Sequence, residues 1–476
     1  MRLLKISVSV FCLLMMSACG LESSYNSPLF FDNEVLEQTL ELKTPALKTP
    51  PFQPKDLKDS ILNELIKETL ENAPDIKTAK ARVENARALR RSLTAGLLPS
   101  FDGQMQYSDE NLGDNMEINP IESVYQAGLS ISWEIDLFGK KQHEVKAASA
   151  QEYQMVAALE NTVVSLITEV CSAYIALRTT QYLLAQTKED LKIQESLSKL
   201  THDKYDSGLS SAIDVNQADY QLATTKAVIP KLETEIETYQ NTLAVLAGKP
   251  AGSFQKRLSC VKENLISKPF AFSLENFYAL PVDVIRLRPD VKGMEASLKA
   301  QNEEIEVAIS NLFPSISFSS FLGFKSMQLP NLFEHESLAH TYQTSVAIPF
   351  FHFGALWEQI NAQKATMKGL VAQYEKTLLN ATQEIRNVLV GLQKMKIRHN
   401  ELEIAWQKMD KAARLARNRY ESGLIDYFQV LDAEERRIAA QSALTTSSGA
   451  LYQNVLNFYK AIGGHFSFDK IKENKN

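Results

Sequence analysis

The chain has 476 residues, a formal net charge of −6, 45% hydrophobic and 23% charged residues. Its mean hydropathy of −0.20 is that of a water-exposed protein, and without a basic block the weak acidity argues against nucleic acid as a partner. Length alone suggests roughly three domains at about 150 residues each.

Arg2 and Lys5 form a positive start, and the apolar run from Ile6 to Met16 is too short to span a bilayer. Met16-Ser17-Ala18-Cys19 resembles a lipobox. That resemblance implies a signal peptide over residues 1–18 and a diacylglycerol and N-acyl lipid on Cys19. Gly20 in place of Asp implies sorting to the outer membrane, as in bacterial lipoproteins. Cys171 and Cys260 do not make a disulfide framework, and Cys171 sits on an apolar helical stripe where a buried hydrophobe is expected. Residues 19–55 read as an extended arm, because the prolines of LKTPALKTPPFQP hold their predecessors out of the helical region.

Helices are predicted from Asp56 to Glu71 and from Asp75 to Ala95, where Ala79, Val83, Ala86 and Leu89 recur at helical spacing. After Pro99 the period changes to two. Phe101, Gly103, Met105 and Tyr107 alternate with polar residues; Ala127, Leu129, Ile131, Trp133, Ile135 and Leu137 do so again. The second run has the length of a tilted membrane-spanning strand, about 9–11 residues. Aromatic residues lie near both ends of these strands, as at two lipid–water interfaces. The acidic link from Asp109 to Ser123 suits an external loop. From Gly139 to Lys204 the pattern is helical, with Val163, Leu166, Ile167, Val170, Tyr174 and Leu177 on one stripe. A turn at Ser207-Gly208-Leu209 leads to a shorter helix ending at Gly248.

Everything after a linker at 249–280 repeats the first half at an offset of 215 residues, as from Tyr205 to Tyr420. YDSGLSSAIDVNQA (Tyr205 to Ala218) aligns without gaps on YESGLIDYFQVLDA (Tyr420 to Ala433). Pro74-Asp75 falls on Pro289-Asp290, Pro99-Ser100 on Pro314-Ser315, Phe138-Gly139 on Phe353-Gly354 and Gly248 on Gly463. A constant offset across separated breakers marks an internal duplication. The expected units are a first repeat at 56–248, a second at 281–463 and a polar tail at 464–476. In the second repeat, strands follow from Ile316, Phe318, Ser320, Leu322 and Phe324 and from Tyr342, Thr344, Val346, Ile348 and Phe350, linked by Lys325 to Thr341.

The fold class is an internally duplicated α+β membrane protein. Four strands cannot close a barrel, and an open edge in lipid leaves backbone groups unpaired. Subunits must therefore pool strands: eight from two chains, or twelve from three, the latter leaving a lumen. Asp102, Gln104, Gln126, Ser130 and Glu134 would line that lumen. The long helices need apolar seams against neighbours to be stable.

WEIDLFGK (Trp133 to Lys140), LPVDVIRLRPDV (Leu280 to Val291), IPFFHFG (Ile348 to Gly354) and GLIDYFQVLDAEER (Gly423 to Arg436) carry a family resemblance. The chain resembles the TolC-type outer-membrane factors, in particular their lipoprotein branch in efflux systems. That implies a homotrimer with a twelve-stranded barrel continued by a long α-helical coiled-coil periplasmic tunnel. It also implies a passive gated conduit in the outer membrane of a Gram-negative bacterium. A periplasmic adaptor and an inner-membrane pump would deliver small molecules such as drugs or metal ions. The tube alone leaves open a conduit for type I protein secretion. A periplasmic adaptor lipoprotein without a pore is the rival from another class; its single hairpin does not suit two hairpins here.

By the same resemblance, Asp432 takes the position of a tip aspartate that forms a ring, and Phe428 that of an apolar constriction. Asp214 falls on a locking acid and Tyr420 on a tyrosine that links neighbouring helices. Ile425 stands where some members carry an arginine, and Gln429 where some carry another aspartate. Gly208, Leu209, Gly423 and Leu424 are the expected adaptor-docking tips. Ala247-Gly248-Lys249 lacks the upstream glycine of a phosphate loop, and His335 and His340 are five apart rather than four, so neither motif is expected to bind phosphate or zinc. No nucleophile–base constellation or cofactor motif points to an enzyme.

Overall fold

The computed structural model describes residues 59–109, 123–259, 266 and 283–464. Cys19, the arm, most of the link from Asp109 to Ser123 and the tail after 464 lie outside the described residues. Two compact units are present. One contains Ser92–Ala150 and Ser297–Leu370; the other contains the described parts of Leu36–Arg91, Gln151–Ala296 and Val371–Asn476.

The first repeat runs α1 (Ser60–Asn72), α2 (Pro74–Ala95), β1 (Ser100–Ser108), β2 (Val124–Ile135), α3 (Lys140–Asp206) and α4 (Ala212–Leu246). After α5 (Gln255–Ser259) come α6 (Asp283–Arg286), α7 (Pro289–Ser310), β3 (Ser315–Ser326), β4 (Leu338–Ala347), α8 (Ala355–Glu421) and α9 (Tyr427–Ala461). Three helix pairs, α2/α7, α3/α8 and α4/α9, begin and end at positions 215 apart, as from Pro74 to Pro289. The glycine breakers explain this. Gly139, Gly208, Gly248 and their counterparts Gly354, Gly423 and Gly463 all have φ between 72° and 83°, where side chains with a Cβ are strained.

The four strands form one antiparallel sheet in the order β1-β2-β3-β4. Within the first hairpin Ser100 lies opposite Ser132; within the second, Ser315 lies opposite Ala347, so both hairpins share one register under the 215 offset. Between them Tyr125 meets Ser326 and Ile135 meets Ile316. The register keeps the alternation intact. Phe101, Met105, Leu129, Trp133, Leu322 and Val346 share one face; Asp102, Gln104, Gln126, Ser130 and Ser345 share the other. The apolar face is bare: Met105 is 79% exposed and Tyr342 68%.

One feature of the polar face escapes the alternation pattern. Gly128 lies opposite Gly323. A Cβ on Gly128 would come within 2.6 Å of the Gly323 Cα and 2.8 Å of the Phe321 ring. Phe321 therefore fills the space above the two glycines and is buried, with the Lys325 ammonium 5.0 Å from its ring centre.

The strand ends correct the sequence reading. β2 begins at Val124 and stops at Ile135, short of Leu137. Asp136 turns out of the sheet to cap α3, accepting the Lys141 N–H at 3.2 Å and the Gln142 N–H at 2.9 Å. β3 continues to Ser326 and β4 starts at Leu338, so their link is shorter than expected and holds two single-turn 3₁₀ segments. β4 ends at Ala347, leaving Ile348 and Phe350 beyond it, because Pro349 has no N–H to extend a ladder. The first helix among the described residues begins at Ser60, capped by Asp59; Asp56 lies outside the described residues. His335 and Glu336 sit in a 3₁₀ turn, and His340 lies in β4 with its ring 5.6 Å from that of Tyr342.

The helical unit buries Leu62, Leu65, Ile167, Cys171, Tyr174, Leu177, Leu243 and Phe458. The sequence stripe on α3 is therefore core, and desolvation of the Cys171 thiol pushes its pKa up to about 12, so it is inert.

Candidate functional site

Both hairpin tips are built by one device. At the end of α3 the Gly208 N–H donates to the Tyr205 carbonyl at 2.9 Å and the Leu209 N–H to the Lys204 carbonyl at 2.8 Å. At the end of α8 the Gly423 N–H donates to Tyr420 at 3.0 Å and Leu424 to Arg419 at 2.8 Å. These paired bonds, with a left-handed glycine after the helix, are a Schellman motif. They close the helix ends and leave Leu209 and Leu424 77% and 70% exposed at the tips. Each tip thus presents one bare leucine on a hydrogen-bonded turn.

The hairpins differ in how the second helix starts. Ser211 and Asp214 make a reciprocal capping box at the start of α4. Asp214 also accepts the Ser210 hydroxyl at 2.9 Å. Partial burial pushes its carboxyl up, but the Ser211 N–H and the two serine hydroxyls hold it below its usual value. Asp214 thus caps the second helix of its own hairpin. Its counterpart in the duplication is Gln429, which is exposed and forms no such box; Asp426 at the start of α9 accepts no side-chain cap bond.

Tyr420 is where the two hairpins meet. Its hydroxyl lies 3.1 Å from Thr201 Oγ1 on α3. Lys204 bonds the Tyr420 carbonyl and places its ammonium 3.8 Å from the ring centre. The Tyr427 ring stands edge-on at 5.7 Å. Leu197, Ala218 and Val430 complete this buried cluster. Desolvation raises the Tyr427 hydroxyl pKa, with Tyr420 and nearby carboxylates adding to it.

Phe428 and Asp432 share a face of α9, four residues apart, and both are exposed. Asp432 pairs with Arg436 at 2.9 Å. The structure therefore groups the resemblance-derived residues in two sets. Tyr420 is a link between hairpins. Phe428, Gln429 and Asp432 form an uncovered strip on α9.

The sequence reading missed a buried charge cluster above the tip. Arg437 donates to Asp190 at 2.6 Å, to Glu434 at 2.8 Å and to Gln441 at 2.7 Å. Arg417 meets the second oxygen of Glu434 at 3.0 Å. Glu434 is 0% exposed. Burial works against the Arg437 charge, but Asp190 and Glu434 outweigh it and raise its pKa. A signal was present: Tyr427, Val430, Glu434 and Arg437 continue one helical row, so charges fall on a buried seam. The first hairpin carries a weaker analogue, Asp219, bonded by Ser198 at 2.9 Å and 3.1 Å from His202 Nε2.

The model of the family described as "Outer membrane efflux protein" matches residues 65–249 and again 280–464, once on each repeat. The chain belongs to that family. Among curated relatives, the probable efflux pump outer membrane protein TtgC of Pseudomonas putida is 29% identical over 85% of this chain and 83% of its own. The solvent efflux pump outer membrane protein SrpC of the same species is 28% identical over 97% and 98%. Among solved structures, the outer-membrane channel OprN matches with a TM-score of 0.80 at 28% identity, over 89% of this chain and 96% of that one. The Campylobacter jejuni CmeC outer membrane channel matches with a TM-score of 0.79 at 23% identity, over 93% and 94%, which shows the shared fold. Membership makes this chain an outer membrane efflux protein, a channel component and not an enzyme.

Proposed function

We propose that the chain is the passive, gated outer-membrane conduit of a tripartite pump, assembled as a homotrimer of twelve pooled strands. The observation that carries this is the sheet. Its four strands have one apolar and one polar face, and its outer strands have no strand neighbour among the described residues. In lipid such edges must be paired. The polar face then lines a lumen, and the helical hairpins supply the periplasmic tunnel. Relatives named for toluene, solvent and antibiotic efflux support small organic molecules as cargo. An inner-membrane transporter must supply the energy, because the channel has none of its own.

Leu209 and Leu424, with Gly208 and Gly423, form the adaptor-docking tips; Phe428 and Asp432 form the gate. Cys19 carries the lipid, and a mature N-terminus that mass spectrometry finds unmodified removes that assignment. The test of the conduit uses Leu209→Asp with Leu424→Asp. We expect heat-modifiable oligomers in outer-membrane fractions and unaltered single-channel conductance, together with loss of solvent efflux and of adaptor cross-linking. Retained cross-linking in that double variant overturns the docking role, and a purified protein that never conducts in a planar bilayer overturns the conduit.

A further inference from the structure

The two hairpins of the sheet end differently on the side away from the helices. On the first hairpin Tyr107 and Tyr125 face each other across β1 and β2 on the apolar face, with ring centres 4.8 Å apart. Tyrosine there suits a lipid–water boundary, because an apolar ring carries a polar tip. The counterparts in the duplication are Leu322 and His340, which also face each other. The second hairpin therefore has no tyrosine pair at that level, and it runs further instead. β1 ends at Ser108, whose counterpart is Gly323, while β3 continues to Ser326. Its last apolar-face pair is Phe324 with Leu338, two residues or about 7 Å further along the strand.

The aromatic partner at that level comes from the link between β3 and β4. The Phe333 ring stands edge-on to Phe324 with centres 5.7 Å apart. The link is folded to hold it there. Leu332 is 2% exposed, while Phe333 beside it is 66% exposed. In the two 3₁₀ turns the Leu332 N–H donates to the Leu329 carbonyl at 3.2 Å and the Ser337 N–H to the Glu334 carbonyl at 3.1 Å. The Ser337 hydroxyl donates to the Asn331 carbonyl at 2.7 Å. Leu329 and Leu338 are bare as well, and so are Glu334, His335 and Glu336. One short link thus presents an apolar set and a polar set.

We propose that this link is seated on lipid: Phe333, Leu329 and Leu338 touch the acyl chains of the outer leaflet, and Glu334 and Glu336 stand at headgroup level. This rests on the reading of the sheet's apolar face as the lipid face, and it extends that face beyond the strands. Continuity chooses the occupant. Phe333 packs on Phe324, which belongs to the same face as Leu322 and Phe318. Phenylalanine has no polar tip, so a bare pair beyond the tyrosine level suits hydrocarbon better than water. Irregular backbone does not enter the hydrocarbon with its polar groups unpaired. The link's internal bonds let it lie along the boundary while side chains dip in, as interfacial amphipathic segments do to a depth of about 5–10 Å. A link held outward on lipid leaves its side of the lumen mouth uncovered.

Spin-label accessibility tests the seat, in the full chain reconstituted into phosphatidylcholine–phosphatidylglycerol vesicles. Oxygen relaxes a nitroxide in hydrocarbon, and a neutral nickel chelate relaxes one in water. Labels go on Phe333→Cys and Leu329→Cys, with Leu322→Cys as the lipid reference and Glu336→Cys as the water reference; the treated parent gives the background. We expect oxygen to dominate at 333 and 329 as it does at 322, and the order to reverse at 336. Adding Phe333→Ser should shift the label at 329 from oxygen to the chelate, while conductance and heat-modifiability stay parental; Phe333→Trp should keep it with oxygen. The tryptophan variant also gives a second reading, since its added emission should be quenched by lipids brominated on their acyl chains. Chelate dominance at 333, or added emission that bromine leaves unquenched, puts the link in water and overturns the seat. A label at 333 that neither reagent reaches means that protein covers it, which also overturns the seat. Both results leave the conduit standing when 322 reads as lipid. Chelate dominance at 322 as well overturns the lipid face and the conduit with it.

Discussion

Replacing Arg437 with Met tests what the buried charge cluster contributes. Arg437 is 4% exposed, and its partners Asp190 and Glu434 are 5% and 0% exposed. Met keeps most of the side-chain volume but removes the guanidinium. Glu434 keeps Arg417 at 3.0 Å; Asp190 loses the cation it faces at 2.6 Å. Breaking a buried pair by removing one partner costs about 3–5 kcal/mol. At about 1.4 kcal/mol per decade, local opening should become roughly a hundredfold to a few thousandfold more frequent. The assay is native-state hydrogen exchange of amides from Val430 to Gln441 on α9, in purified protein. Arg437→Met with Asp190→Leu removes both charges, and exchange should return to within about tenfold of the parent, because apolar replacement of a whole buried pair is often neutral. Exchange in the single variant within threefold of the parent would refute the reasoning. So would a double variant as damaged as the sum of the two single ones.

Gly128→Ala should weaken the β2–β3 ladder, since its Cβ would stand 2.6 Å from the Gly323 Cα, whereas Gly103→Ala meets nothing within 4 Å. Heat-modifiability on gels should be lost in the first and kept in the second. Ser211→Ala removes one half of the α4 capping box and should cost about 1 kcal/mol of helix-start stability, read as faster exchange at Val215. The Asp214 pKa is depressed, so its contribution is present above the ordinary value of 3.8 and is lost as pH falls through its lower folded value; the gap between parent and Ser211→Ala should narrow in strong acid without closing, because the Asp214 N–H still donates to Ser211 Oγ in the parent. Phe428→Ala should raise single-channel conductance, and Asp432→Ala should lower cation selectivity. Unchanged values in both would move the gate elsewhere.

Much of this was legible because the breakers speak plainly. Gly139, Gly208 and Gly248, with their counterparts, set the helix ends within a residue or two, and the period-two runs set the strand faces. Boundaries failed where a side chain acted outside its strand. Asp136 fits the alternation of β2 but is drawn off to cap α3, and Pro349 fits that of β4 but cannot donate. The cluster at Glu434 and Arg437 was not read because long helices touching several neighbours blur the apolar stripe, so charges on a buried row look like solvated ones. The resemblance gives Asp214 the place of a locking acid and says nothing of its cap; the three local hydrogen bonds that make it one could have been suggested by the Ser210-Ser211 pair alone.

The Gly128–Gly323 contact has a consequence for how the sheet finds its alignment during folding. Alternation with period two rejects a slip of one residue, but a slip of two keeps every apolar residue on the apolar face and goes unpunished. The glycine pair supplies what the pattern lacks. Displacing β2 by two residues along β3 would set Gly128 against Phe321 or Lys325 and would strip the Phe321 ring of the hollow that receives it. The native alignment is then the one in which ring and hollow coincide, so a single aromatic side chain proofreads errors that hydrophobicity cannot see.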